Sequence, residues 1–251
     1  MSFPFKAIFF DLSGVLYQGN QVINGALSAV KKARSLNLKL RFVTNTASKP
    51  SYVILDDLQN MGFQLSPDEL FTAPIAAKQY IEQQGLRPYC LIHQAIKTDF
   101  AKINQTDPNC VLLGDAGDDL NYQTLNVAFQ LCQQGAPLIG IGMNKYYKAD
   151  DALVLDAGPF IKAIAWAASK QPIIMGKPDK HFFAQVVAST GLKAEQCLMI
   201  GDDVKADVCG ALDAGLGACL VKTGKFQPDD LTHLPKAAYC IESVAELFEQ
   251  I

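Results

Sequence analysis

The 251-residue sequence lacks any apolar run close to the length of about 18 residues that a membrane-spanning helix needs. It also lacks an excess of positive charge, because its formal net charge is −3 and no segment gathers Lys and Arg into a stripe. Residues 1–6 show no charged stretch leading into the apolar segment of a secretion signal. These absences predict a cytoplasmic protein that has neither a nucleic acid nor a membrane as its partner.

Several common cofactor motifs are missing as well. The seven cysteines form no C-x-x-C pair, and the three histidines follow no metal-ligand spacing. Gly140-Ile141-Gly142 lacks the third glycine of a dinucleotide-binding loop, and Gly224-Lys225 is followed by Phe226 where a P-loop needs Ser or Thr. A zinc site, a nicotinamide site and a P-loop are therefore not expected.

What the sequence does contain is a regular alternation of apolar strand patterns with helical patterns. Hydrophobic residues make up 49% of the chain and charged residues 19%, which is typical of a globular protein with an ample core. Strands separated by helices favour right-handed crossovers and a mainly parallel sheet. We predict an α/β fold with a Rossmann-like, doubly wound core, whose strands lie near residues 6–10, 39–43, 89–92, 110–113, 138–141, 173–175, 197–200 and 218–221.

The polar segments with chemical potential lie in the two outer parts of the chain, before about residue 50 and after about residue 170. The middle stretch carries its own strand and helix patterns but none of these segments. We therefore predict a discontinuous domain over residues 1–82 and 170–251, interrupted by an inserted α/β domain over residues 83–169.

Four short polar segments each follow the end of a predicted strand. They are Asp11, Thr44-Asn45, Gly176-Lys177-Pro178-Asp179, and Asp202-Asp203 together with Asp207. In open α/β sheets, ligands collect outside the carboxyl ends of the strands. The late acidic cluster is too negative to lie beside Asp11 without a cation, and Mg²⁺ is a hard ion that prefers oxygen ligands.

Together these segments supply a carboxylate nucleophile, phosphate-binding groups, an ammonium and a metal site, which is the inventory for phosphoryl transfer through an aspartyl-phosphate. Each segment alone is more typical of a helix cap or a turn. The fixed order of all four, always at strand ends, favours the chemical interpretation.

The four segments resemble motifs I to IV of the haloacid dehalogenase superfamily, and the insertion resembles the large α/β cap of its class IIA phosphatases. A subgroup acting on phospholysine, phosphohistidine and pyrophosphate is similar in further segments. These are Asp11-Leu12-Ser13-Gly14-Val15-Leu16-Tyr17, Arg41-Phe42-Val43-Thr44-Asn45, Tyr146-Tyr147-Lys148, Gly176-Lys177-Pro178 and Val221-Lys222-Thr223-Gly224-Lys225.

The resemblance implies a role for each matching residue. Asp11 would be the nucleophile, and Lys177 would steady it; Thr44 and Asn45 would bind the phosphate of a small phosphorylated substrate. Mg²⁺ would be held by Asp11, the main-chain carbonyl of Ser13 and Asp202, with Asp203 and Asp207 in support. The cap would form a homodimer and would face the site with Asn144, Tyr147 and the Gly158-Pro159 loop.

Ser13 departs from the superfamily pattern, which usually has an aspartate two residues after the nucleophile as general acid and base. A serine hydroxyl does not titrate near neutral pH, and such proton transfer contributes about 10²–10⁴-fold in rate. We therefore expect a preference for leaving groups that need little protonation, such as pyrophosphate, phosphoramidates and aryl phosphates.

Two other hypotheses stay open at this point. The chain could bind or sense a phosphate ligand with negligible turnover, because Ser13 replaces the acid. It could also be a receiver-like signalling module, since such modules combine a phosphoacceptor Asp with an acidic pair, a Thr and a Lys. The C-terminal place of the acidic pair and the inserted domain argue against the receiver.

Overall fold

The computed structural model describes residues 3–149 and 152–251. These residues form two compact units. The first consists of the described residues in 1–44, 52–71 and 177–251, and the second of those in 45–51 and 72–176. The second unit contains more residues than the insertion expected over 83–169, because it also includes the helix at 73–83 and the strand at 173–174.

The strands account for the predicted alternation and include further short ones, two at the edges of a larger sheet and four in separate two-stranded sheets. In chain order they are β1 (Ala7–Asp11), β2 (Tyr17–Gln18), β3 (Gln21–Val22), β4 (Lys39–Thr44), β5 (Leu70–Thr72), β6 (Pro88–Leu91), β7 (Cys110–Leu113), β8 (Leu138–Gly140), β9 (Tyr146–Ala149), β10 (Ala152–Leu155), β11 (Ile173–Ile174), β12 (Cys197–Gly201), β13 (Gly217–Val221) and β14 (Tyr239–Ile241).

The α-helices lie between most of these strands, as the alternation requires. They are α1 (Ala26–Ser35), α2 (Ser51–Asn60), α3 (Ala73–Gln83), α4 (Tyr122–Gln133), α5 (Ala157–Ala167), α6 (Lys180–Ala188), α7 (Gly210–Asp213), α8 (Asp230–His233) and α9 (Leu247–Gln250). A π-helix at Val204–Cys209 runs directly into α7.

The first unit is built on a six-stranded sheet with the order β14-β13-β12-β1-β4-β5. Strand β1 pairs in parallel with both β12 and β4, and β12–β13 and β13–β14 are also parallel. From β1 the chain moves outward to β4 and β5, and later returns to β12 and moves outward the other way. The strand order therefore reverses beside β1, which is where open α/β sheets place their ligands.

The strands at this reversal are buried on both faces. All five residues of β1 and all five of β12 are buried, as expected for parallel strands covered by helices on each side. On one face, Phe10 and Phe42 stack with their ring centroids 6.1 Å apart. The core thus fixes the strand ends that carry the polar segments.

The second unit has its own four-stranded sheet, in the order β11-β8-β7-β6, and all three of its pairings are parallel. Its core packs α4 and α5 residues such as Ala128, Cys132 and Ile161 against Val111 and Leu138 of the sheet. Strands β9 and β10 form a separate antiparallel hairpin. The predicted α/β class is confirmed in both units.

Ser66 followed by Pro67 and Glu69 is a helix start signal in the sequence, but the helix that it begins is short. Ser66-Pro67-Asp68-Glu69 forms a capping box, in which the Ser66 N–H donates to the Glu69 carboxylate at 2.9 Å. The helix it begins is a single 3₁₀ turn at Pro67–Glu69. It ends there because the backbone of Leu70 is extended and continues as β5 of the sheet. Within the described residues, none of the helices has the length and apolar character to cross a membrane.

Candidate active site

The site begins with Asp11, the last residue of β1. Phe10 of β1 lies opposite Ile200 of β12, so Asp11 is level with Gly201, the last residue of β12. Asp202 follows directly. Because the carboxyl ends of parallel neighbours meet at one edge of a sheet, the backbone alone brings Asp11 and Asp202 together.

A third carboxylate joins them from the π-helix that follows β12. Asp11, Asp202 and Asp207 each offer a carboxylate oxygen, and these three oxygens all lie within 4.8 Å of one another. The three residues are 7%, 2% and 1% exposed. Such a cluster of buried oxygens is a suitable donor set for a hard divalent cation.

Lys177 supplies the positive charge that the structure itself places in this cluster. Its Nζ donates to Asp11 Oδ1 in a short contact and to Asp207 Oδ1 at 2.6 Å. The side chain of Lys177 is as buried as its partners. One ammonium therefore holds the first and the last carboxylate of the cluster.

Burial raises the pKa of all three carboxylates in the cluster, although Lys177 opposes the shift at each of them. Burial raises the pKa of Asp11, with Lys177 opposing, and burial also raises the pKa of Asp202. Burial raises the pKa of Asp207 to about 6. For Lys177, burial would lower the pKa, but the charges of Asp11 and Asp207 outweigh it and raise the pKa. Because burial raises the pKa of all three carboxylates, an added positive charge would favour their ionised forms, and a divalent metal would supply that charge.

Asp203 and Asp207 have different surroundings, because Asp203 precedes the π-helix as its cap and Asp207 lies within it. Asp203 Oδ1 accepts hydrogen bonds from the Lys205 and Ala206 N–H groups, at 3.0 and 2.8 Å, and so caps the helix. The N–H of Asp203 donates to Asp207 Oδ2 at 3.2 Å. Asp203 thereby orients the carboxylate that holds Lys177.

The other predicted residues are placed as follows. Thr44 is the buried last residue of β4, next to β1 in the sheet, and Ser13 is exposed two residues after Asp11. The second unit contains Asn45 and the expected cap residues Asn144, Tyr147 and Gly158-Pro159. The roles of all these residues stay predictions.

Sequence reasoning assigned no role to the loop after β13, which reaches the site. The Lys225 N–H donates to Asp202 Oδ2 at 2.7 Å, and the Thr223 hydroxyl donates to the Gly14 carbonyl in a short contact. The sequence feature that could have indicated this loop is the Gly224-Lys225 pair, which was considered only as part of a P-loop and rejected as one. Only the fold brings this loop beside residues 14 and 202.

Comparison with known proteins agrees with this geometry. A family profile described as haloacid dehalogenase-like hydrolase matches residues 8–106, and a second, described as HAD-hydrolase-like, matches residues 174–247. The chain is 41% identical over 234 residues to "Haloacid dehalogenase-like hydrolase domain-containing protein 2" of Bos taurus, covering 93% of this chain and 90% of the relative. The chain belongs to the haloacid dehalogenase-like hydrolases. The receiver hypothesis is thereby excluded.

Two further similarities are to proteins whose names describe phosphatases. Phospholysine phosphohistidine inorganic pyrophosphate phosphatase of Homo sapiens is 39% identical over 248 residues, which cover 96% of this chain and 92% of the relative. The crystal structure of 4-nitrophenylphosphatase from Thermotoga maritima superposes with a TM-score of 0.83 at 26% identity, covering 98% of this chain and 97% of the other. The predictions of the family and of a phosphatase-type hydrolase are confirmed.

Removal of the shared ammonium should reveal how far the buried carboxylates depend on it. We expect Lys177→Met to lower the free energy of unfolding by about 3–5 kcal/mol, because it leaves buried carboxylates unpaired. Adding Asp207→Asn should restore part of this loss. Urea unfolding without added metal measures both variants.

The matched control is Lys97→Met, which removes an exposed partner of Asp119, 3.3 Å away, and should cost less than about 1 kcal/mol. Equal effects of the two lysine variants would contradict the role given to Lys177.

Proposed function

We propose that the chain is a Mg²⁺-dependent phosphohydrolase that transfers the phosphoryl group of its substrate to Asp11. The observation that carries this proposal is the convergence of Asp11, Asp202 and Asp207 on one point, with the Lys177 ammonium between two of them. The names of the phosphatase relatives support the reaction class.

The proposed metal ligands are Asp11, Asp202 and the main-chain carbonyl of Ser13. Mg²⁺ suits them because it prefers oxygen and binds through one or two carboxylates while retaining water. When bound, it supplies positive charge that neutralises phosphoryl oxygens as negative charge develops on them. Asp203 and Asp207 support the site by holding the π-helix and the Lys177 ammonium.

The chain's own residues then account for the remaining steps. A carboxylate oxygen of Asp11 attacks phosphorus, the bond to the leaving group breaks, and an aspartyl-phosphate forms. Water next cleaves the new phosphorus–oxygen bond, which releases inorganic phosphate and restores the carboxylate. Lys177 neutralises Asp11 before attack, and Thr44 and Asn45 bind the phosphate oxygens.

Ser13 limits which leaving groups depart readily. Its exposed hydroxyl gives no proton near neutral pH, so the leaving group must depart with its electron pair unassisted. Pyrophosphate, phosphohistidine and aryl phosphates meet this requirement, and phospholysine meets it once its nitrogen has taken a proton from solvent, so that it leaves as the neutral amine. The alternative of a phosphate-sensing protein with negligible turnover follows if the missing acid cannot be tolerated at all.

The first test is loss of the nucleophile. We expect Asp11→Asn to lower phosphate release from 4-nitrophenyl phosphate by at least about 10³-fold, because the amide cannot attack phosphorus. The wild type should lose activity in EDTA and regain it with Mg²⁺. The control Asp68→Asn changes an exposed aspartate and should keep full activity.

Steady-state phosphate release measures these variants. A wild-type rate equal to that of Asp11→Asn would support the sensing alternative instead.

The second test concerns the leaving group. We expect the wild type to hydrolyse pyrophosphate and aryl phosphates faster than sugar phosphates. Ser13→Asp should speed the sugar phosphates by up to about 10²–10⁴-fold, because it supplies the missing proton.

Ser13→Asn is the matched control, since it has the size of aspartate without a proton to give. The interpretation fails if the asparagine variant gains as much as the aspartate variant, or if the wild type prefers sugar phosphates.

We also propose a homodimer formed through the second unit. The β9–β10 hairpin exposes Tyr146, Leu153 and Leu155, at 56%, 67% and 59%, and such apolar patches are typical of protein contacts. Leu155→Glu should therefore convert a dimer into a monomer in light scattering after gel filtration. Tyr122→Glu, an exposed control outside the hairpin, should not. A wild type that is monomeric at all concentrations would contradict this part.

A further inference from the structure

The carboxylate of Asp202 is enclosed by backbone that has no side chains. A Cβ atom added to Gly14 or to Gly224 would fall well inside van der Waals contact with Asp202 Oδ2. The one on Gly224 would also overlap the α-carbon of Gly14. Both glycines have positive φ, of 90° and 65°. Two separate turns therefore approach the same carboxylate oxygen so closely that only glycine fits at each turn.

Hydrogen bonds hold these two turns together. The Thr223 hydroxyl donates to the Gly14 carbonyl, which ties the loop after β13 to the turn after β1. The Lys225 N–H donates to Asp202 Oδ2 at 2.7 Å. We call Gly14, Thr223, Gly224 and Lys225 the Asp202 clamp.

The Asp202 clamp acts on one oxygen of the carboxylate. Oδ2 of Asp202 accepts the hydrogen bond from the Lys225 N–H and lies against both glycine turns. This hydrogen bond does not use Oδ1. A carboxylate held in this way keeps one orientation, and its second oxygen stays available to a cation. Metal ligands commonly depend on such partners for their orientation.

We propose that the loop Thr223–Lys225 positions Asp202 as a metal ligand, and that Thr223 is its positioning side chain. This inference rests on the proposed metal-dependent function, because it concerns the same acidic cluster. The inference concerns residues that do not touch the substrate. It predicts that substitutions in the loop change the metal affinity of the folded protein.

Mn²⁺ binding, followed by calorimetry on the full chain without substrate, tests the proposal. Thr223→Val keeps the shape but removes the hydroxyl, and should weaken Mn²⁺ binding by about 3- to 10-fold, since one hydrogen bond is lost. Gly224→Ala should weaken it by about 10- to 100-fold, the range found when partners of metal ligands are changed. Thr223→Ser retains the hydroxyl and should therefore keep the wild-type affinity for Mn²⁺.

Thr190→Val is the matched control. The buried Thr190 hydroxyl also donates to a backbone carbonyl, that of Val187, at 2.6 Å, but at the far end of α6. It should lower the thermal midpoint of unfolding and leave Mn²⁺ affinity unchanged. A merely structural role for Thr223 would give this same pattern.

Unchanged Mn²⁺ affinity in folded Thr223→Val would overturn the inference, whether or not Gly224→Ala folds. The proposed function is tested separately by phosphate release. If the Mn²⁺ affinities of the wild type and the variants follow the predicted order but the wild type releases no phosphate, the inference about the loop is retained. The proposed phosphatase function is then contradicted.

Discussion

The Lys177 ammonium lies between the carboxylates of Asp11 and Asp207, and burial makes the charge of each depend on the other two. A buried ion pair of this kind contributes little to stability on balance, because desolvation offsets the attraction. Its effect is on chemistry: it holds the Asp11 carboxylate, which we propose as the nucleophile, in place next to Asp202. Burial raises the pKa of all three carboxylates, so a divalent cation would complement the cluster.

The parallel sheet gives this interaction its place. Asp11 ends β1, and Asp202 directly follows the neighbouring β12. Both strands are buried along their whole length, so the separation of the two residues is set by strand pairing and not by loop conformation. The π-helix after β12 then brings Asp207 back toward the same point. A rigid core that ends in Asp11 and Asp202 on adjacent strands is a suitable support for the proposed phosphoryl transfer, in which positioning and charge do most of the work.

The sequence was most informative where short-range pattern and topology coincide. Apolar runs ending in Asp11 and Asp202 predicted both the strands and the edge at which they meet, because parallel neighbours end on the same side. The Ser66 capping box predicted a helix start but not its length, which the adjoining strand β5 limits. Strands β9 and β10 were missed because exposed apolar residues there give no alternation between buried and polar positions.

The contacts made by the Asp202 clamp could not be read from the sequence, since Gly14 and Gly224 come together only in the folded chain. The measurement that tests the central claim most directly is anomalous diffraction from a crystal grown with Mn²⁺. The account predicts a single peak within about 2.5 Å of a carboxylate oxygen of both Asp11 and Asp202. A metal bound elsewhere, or by only one of these two residues, would contradict it.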